Sequence, residues 1–219
     1  MLLTALAIPR FASVRAAQEK RIALTFDDGP WPETTEKLLD GLAARGAHAT
    51  FFLIGEQIEG NEALLRRMRD EGHQVGNHTF SHVRLDQAPS AGIRELQKTD
   101  ALLKSVLGEG EYWIRPPWGF LGKSVQEAAE VPLVYWSVDT EDWQIKNADT
   151  VVQRIIENAQ DGDIVLLHDP YPTSVEAALK AIDRLQEEGY VFVTVGELFD
   201  AMGIKPEAGT FYRRPDRKK

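Results

Sequence analysis

The chain has 219 residues, 43% of them hydrophobic and 27% charged, an ordinary globular composition with enough length to bury one sizeable core. With 34 acidic against 25 basic side chains the formal net charge is −9, which repels phosphate backbones, argues against nucleic acid as a partner and favours a neutral or cationic substrate. There is no cysteine, so disulfides, thiolate chemistry and cysteine-type zinc sites are excluded, and any metal must be held by His, Asp or Glu.

Residues 1–19 come first. Leu2, Leu3, Ala5, Leu6, Ala7 and Ile8 make a short apolar run, followed by Arg10 and a small-residue stretch over 12–17. A secretory signal carries basic residues ahead of its apolar run, and here they are missing. The segment fits a truncated export signal, an export segment with an atypical start, or a plain helix. The export-signal remnant is preferred, and with it an extracytoplasmic location. No run reaches the roughly 18 apolar residues of a transmembrane helix.

From residue 20 onward, short β-prone runs alternate with helical spacing. Ile22-Ala23-Leu24-Thr25-Phe26 predicts a strand, and residues 33–45 a helix with Leu38, Leu39 and Leu42 on one face, stopping at Gly46. Residues 49–53 predict a second strand, 56–71 a helix, and 74–77 a third strand. A longer amphipathic helix is predicted over 89–107, then a strand over 112–115 that ends at Pro116-Pro117. Next come a helix over 123–129, a strand over 133–138, a helix over 150–159, a buried strand over 164–167, a helix over 174–188 and a last strand over 191–195. Repeated β-then-α units predict an α/β fold with a mainly parallel sheet, and about seven of them fit a closed or nearly closed (β/α) barrel.

The polar clusters follow strand ends: Asp27-Asp28, His78 to His82, Arg115, Asp139 to Trp143, and His168-Asp169. That edge of a parallel α/β barrel is where active sites are built. On a helical turn, His78 and His82 would share a face and reach one metal, though two surface histidines on a loop would read the same. Asp27-Asp28 before Gly29-Pro30 reads equally as a solvated turn. Taken together, one Asp and two His make a three-ligand zinc site that leaves a position open for water. The second Asp then suits a general base, and His168 a general acid.

Five segments, in order, resemble the signature motifs of the polysaccharide deacetylase family, the NodB-homology domain of carbohydrate esterase family 4. They are Thr25-Phe26-Asp27-Asp28-Gly29-Pro30, His78-Thr79-Phe80-Ser81-His82, Arg115-Pro116-Pro117-Trp118-Gly119, Asp139-Thr140-Glu141-Asp142-Trp143 and Leu166-Leu167-His168. The resemblance covers residues 20–203, a single catalytic domain, and implies a distorted, seven-stranded barrel. It implies a divalent metal, zinc above all, with cobalt or another divalent ion possible, held by Asp28, His78 and His82. Asp27 would be the general base that deprotonates the attacking water, and His168 the acid that protonates the departing amine. Arg115 would hold Asp27 charged and in place, and Asp139 would orient His168. A backbone N–H near Trp118 would help the metal stabilise the oxyanion, and Trp143 and Leu166 would line a pocket for the acetyl methyl. The third motif often carries Tyr where this chain has Trp118, which bears on a sugar-stacking surface more than on chemistry.

The resemblance implies removal of N-acetyl groups from amino sugars in a peptidoglycan- or chitin-type glycan, by a chain acting as a monomer. The same site could serve O-acetyl ester hydrolysis on acetylxylan or cleavage of a small amide, and a non-catalytic carbohydrate-binding role is the alternative of another class. His73 reads as a structural histidine, His48 as exposed, and Asp169 as either an orienting group for His168 or a turn former. Trp31, Trp118, Trp143 and Tyr171 could form a sugar platform, though aromatics in such number more often pack. Residues 204–219 read as a basic tail, and the stretch over 213–219, five basic residues against one acidic, as solvated unless it meets an anionic polymer or lipid surface.

Overall fold

A computed structural model describes residues 19–218, and the expectation of an export-signal remnant lies almost wholly outside them. In order come β1 (Lys20–Gly29), α1 (Pro32–Ala43), β2 (Thr50–Leu53), α2 (Glu62–Asp70), β3 (Gln74–Asn77), α3 (Pro89–Leu107), α4 (Lys123–Glu127), β4 (Leu133–Val134) and β5 (Val138–Asp139). They are followed by α5 (Asp142–Ile145), α6 (Ala148–Asn158), β6 (Ile164–His168), α7 (Pro172–Glu187), β7 (Tyr190–Phe192), α8 (Val195–Ala201), β8 (Phe211–Arg214) and β9 (Arg217–Lys218). Proline opens α1, α3 and α7, where its missing N–H costs no hydrogen bond. A capping box between Thr194 and Glu197 starts α8, and Asn147 caps α6.

The sheet runs β3-β2-β1-β6-β5, all parallel, with β7 beside the first three residues of β1. Single bridges through Ile114 connect Asn77 at the end of β3 to Leu133 of β4, and β4 pairs with β8. No ladder among the described residues joins β5 to β4 or β8, and this gap is the distortion of the barrel. The alternation along β1 sorts side chains between two cores. Leu24 and Phe26 face the helices, with Leu38, Leu42, Phe51 and Ile182, whereas Ala23 packs in a second cluster with Phe52, Trp113 and Tyr212. Thr25 and Asp27 share the parity of Ala23, so both meet the Arg115 guanidinium.

Four expected elements differ. The strand over 112–115 shrinks to bridges at Ile114, because Pro116 and Pro117 lack the N–H that would continue a ladder. The strand over 133–138 is two, β4 and β5, since the chain changes partner from β8 to β6 across Tyr135 to Ser137. The helix over 56–71 is a 3-10 turn and α2, parted at Gly60 with φ 83°. Of the basic segment over 213–219, expected to be solvated, Arg214 is instead tied down, pairing with Asp163 at 2.7 Å, and Phe211 and Tyr212 just ahead of the segment are buried. Among the described residues no helix is long and apolar enough to cross a membrane.

Candidate metal centre and its cleft

Asp27 and Asp28 reach one cleft because the end of β1 bulges. Asp27 registers with Phe52 and Gly29 with Leu53, leaving Asp28 as the extra residue, at φ 72°. Aspartate tolerates this left-handed conformation better than most residues. The next residue must be glycine, since a Cβ there would collide with the Asp169 carboxylate.

His78 and His82 do not lie on a helical turn. They sit in a loop after β3 with Thr79 at φ 68° and His82 at φ 52°, their ring centroids 5.0 Å apart. Asn77 Oδ1 accepts from the Thr79 N–H, and Glu95 of α3 accepts from both the N–H and the hydroxyl of Ser81. These anchors were not legible as site residues. His78 Nδ1 donates to the Arg115 carbonyl at 2.7 Å, which leaves the Nε2 lone pair free toward Asp28.

Asp28 Oδ1 is buried without a hydrogen-bond partner, 3.5 Å from His78 Nε2 and 3.3 Å from His82 Nε2. Tetrahedral zinc with bonds of about 2.1 Å separates its ligands by about 3.4 Å. Burial lowers the pKa of both imidazoles and raises that of Asp28. An orphaned carboxylate oxygen facing two neutral imidazole lone pairs at that spacing fits a divalent cation. It is the one such group of His, Asp and Glu among the described residues.

Asp27 Oδ1 accepts from Arg115 Nη1 at 2.7 Å, and its Oδ2 lies 3.7 Å from His78 Nε2. Arg115 is wholly buried, its other side-chain hydrogen bonds going to Thr25 Oγ1 and the Tyr135 carbonyl. Across the cleft, His168 departs from expectation. Its Nδ1 contacts Asp142 Oδ1 at 2.8 Å, and its backbone N–H donates to Asp142 Oδ2 at 2.8 Å. Asp139, expected to orient His168, instead accepts from Trp136 Nε1 and from the Glu141 N–H. The reason is local: β5 ends at Asp139, Glu141 turns the chain at φ 51°, and Asp142 at the start of α5 is carried beneath the end of β6. Burial opposes charge on His168, but the Asp142 hydrogen bond and the carboxylates of Asp142, Asp27 and Asp28 outweigh it and raise its pKa to about 9.

The cleft encloses about 420 Å³, walled by Trp118, Trp136, Asp139, Trp143, Leu166 and Tyr171 around the five polar groups. Trp118, Trp143 and Leu166, expected to bind substrate, all line this cleft. Trp136 was hidden in what read as a continuous strand. Trp118 covers His82, ring centroids 4.2 Å apart, and remains more than half exposed. Trp31 is exposed but outside the cleft wall, its indole N–H donating to the Asp28 carbonyl. Asp169 turns away from His168 to accept from the Thr35 hydroxyl. His48 pairs with Glu197, and His73 Nδ1 accepts from the Ala49 N–H, a structural role.

The profile of the family described as polysaccharide deacetylase matches residues 15–136. The peptidoglycan-N-acetylglucosamine deacetylase PgdA of Listeria monocytogenes is 38% identical over 199 residues, covering 90% of this chain and 42% of that one. The chain therefore spans about two fifths of the length of such curated relatives. The structure of the peptidoglycan deacetylase PdaC from Bacillus subtilis superposes with a TM-score of 0.82 at 37% identity, over 84% of this chain and 92% of that one. A family 4 acetyl xylan esterase from Clostridium thermocellum, in complex with a cobalt ion, reaches a TM-score of 0.85 at 30% identity, over 90% and 100% of the two chains.

Proposed function

This chain belongs to the polysaccharide deacetylase family, and we propose that it hydrolyses the N-acetyl group of amino sugars within a glycan, releasing acetate and a free amine. The observation that carries the reading is the partnerless Asp28 Oδ1 between two imidazoles, in the same cleft as Asp27 and His168. A divalent cation held by Asp28, His78 and His82, zinc in the first instance, would polarise the acetyl carbonyl and acidify water there.

The remaining steps belong to side chains. Asp27, fixed by Arg115, takes the proton of the attacking water as its oxygen bonds to the acetyl carbon. The Trp118 backbone N–H is assigned to the oxygen that gains charge. His168, fixed by Asp142, hands its proton to the nitrogen as the C–N bond breaks. Leu166 and Trp143 enclose the methyl group and exclude water.

Asp27→Asn should cut acetate release from N-acetylated oligosaccharides at least ~100-fold, the scale of a lost general base. Zinc content by atomic absorption should stay near that of the unsubstituted protein. Full turnover by this variant would remove Asp27 from the role. A second reading, O-acetyl ester hydrolysis, is favoured by the similarity to the acetyl xylan esterase. Acetate release compared on N-acetyl and O-acetyl substrates separates the two. The names of the peptidoglycan deacetylases among the relatives support work on a wall glycan, outside the cytoplasm, and fractionation of the source cells tests that location.

A further inference from the structure

We propose that Asp169, Thr35 and Trp31 form a hydrogen-bonded brace behind the cleft, and that Asp169 is the positioning residue that anchors it and so places Asp27 and Asp28. The inference rests on the deacetylase reading of these two aspartates, as base and metal ligand, and adds the residues that set their geometry.

Asp28 needs such support. It is the extra residue of the bulge, at φ 72°, and its Oδ1 has no hydrogen-bond partner. A left-handed residue other than glycine persists only where its neighbours impose the conformation. Here both aspartate carbonyls are held. The Asp169 N–H donates to the Asp27 carbonyl at 2.9 Å, and the Trp31 indole N–H donates to the Asp28 carbonyl at 3.0 Å. Trp31 is in turn tied to Thr35 through two bonds. Its backbone N–H donates to the Thr35 hydroxyl at 2.8 Å, and its carbonyl accepts from the Thr35 N–H at 2.7 Å. The Thr35 hydroxyl donates to Asp169 Oδ2. The line therefore starts beside His168 at the end of β6, passes through the start of α1 and closes on the two aspartates at the end of β1.

Packing completes the brace. Asp169 and Thr35 are wholly buried, and the Asp169 carboxylate fills the space into which a Cβ on Gly29 would project. Asp169 Oδ1 has no partner, and a buried carboxyl with one oxygen unmatched adds little net stability. What its burial supplies is a fixed relation between the strand end that carries His168 and the turn that carries the base and a metal ligand. The brace also accounts for Trp31, an exposed indole whose one polar atom is turned to a backbone carbonyl. None of the three side chains lines the cleft, so they act through Asp27 and Asp28.

Trp31→Phe is the first test, because the residue is exposed and the change removes the N–H while keeping a ring. Zinc affinity, measured by competition with a chromogenic chelator, should fall about ten-fold, the scale on which the outer partners of metal ligands act. Asp169→Ala and Thr35→Val should each lower it by about as much. Combining either with Trp31→Phe should add little, since the three act as one unit. Asp169→Asn keeps an acceptor for Thr35 and should hold zinc affinity within about two-fold of the parent. Val152→Ala, a truncation in the core under α6, controls for lost stability and should leave zinc affinity unchanged. With zinc saturating, Trp31→Phe should lower kcat for acetate release about ten-fold and move KM less than about two-fold, because the base is displaced and the glycan wall is not. Parent-like zinc affinity in Trp31→Phe and Thr35→Val overturns the brace. A raised KM with unchanged zinc affinity in Trp31→Phe would also overturn it and make the indole a sugar platform. Asp169 loses its role as anchor if Asp169→Ala binds zinc like the parent, or if Asp169→Asn binds as weakly as Asp169→Ala. Should Asp169→Ala fail to fold, Thr35→Val, which unties the same carboxylate, decides. Zinc binding that follows these expectations in a chain releasing no acetate would keep the brace and discard the deacetylase.

Discussion

Asp139 and Asp142 belong to the same polar cluster, yet only Asp142 touches His168, through both its carboxylate oxygens. Their contributions should differ accordingly. Asp142→Asn keeps the shape but removes the charge that stabilises an imidazolium, and kcat should fall about 100-fold. Asp139→Asn keeps an acceptor for the Glu141 N–H, loses the one for Trp136 Nε1, and should cost less than about ten-fold. His168 must be protonated to serve the leaving amine, and its pKa is raised to about 9 before any cation is added. Activity should therefore fall as pH rises through the alkaline range, at a pH lowered by the bound cation. Asp142→Asn should move that limb further down, and pH profiles of kcat for the two variants decide the assignment. That Asp27, Asp28, His78, His82 and His168 gather at one edge could be read from the sequence because each follows a β-prone run, and the barrel edge collects such positions, whereas the different roles of the two aspartates rest on the family resemblance. The choice between two carboxylates three residues apart could not, because it turns on a left-handed residue, Glu141, that no pattern announces.

At the scale of elements, helices opened by proline and strands buried on both faces were legible, since each has a local cause. Pieces that depend on a distant partner were not. β8 is four residues in a basic segment, and what makes it a strand is β4, far back along the chain. Its Phe211 lies in the cluster with Leu85, Leu96, Ile114, Val125 and Leu133, and Tyr212 lies with Phe52 and Trp113 in the other. Phe211→Ala should destabilise the protein by about 3–5 kcal/mol, the usual cost of emptying a buried phenylalanine site. A solvated tail would give less than about 0.5 kcal/mol, so the urea midpoint of this variant separates the two descriptions. The same packing matters to the site, because β4 leads into Tyr135, whose carbonyl holds Arg115, and Arg115 holds Asp27.

For the whole molecule, pH acts through two buried groups with opposite signs. Burial raises the pKa of Asp169 to about 7, and its Oδ1 has no partner. Its unfolded value is near 3.8, so folding favours the protonated acid. The resulting stability is complete below that value and is lost as pH rises toward 7. Burial lowers the pKa of His73 to about 4, and its Nδ1 must stay unprotonated to accept from Ala49. Its contribution is complete above the unfolded value of about 6.5 and is lost as pH falls to about 4. The two windows overlap between about pH 4 and 6.5, so the unsubstituted chain should show a shallow pH dependence there that conceals two steep ones, each near 1.4 kcal/mol per pH unit. Single substitutions should expose them. Asp169→Asn should become progressively more stable than the parent as pH rises from 5 to 7 and hold that lead above 7. His73→Gln, which still offers an acceptor to Ala49, should gain on the parent as pH falls from 6.5 toward 5. Urea unfolding at half-unit steps between pH 5 and 8 measures both differences. Parallel curves for parent and variants would mean that neither burial is felt as charge, and that the barrel carries these two groups at no cost in this range.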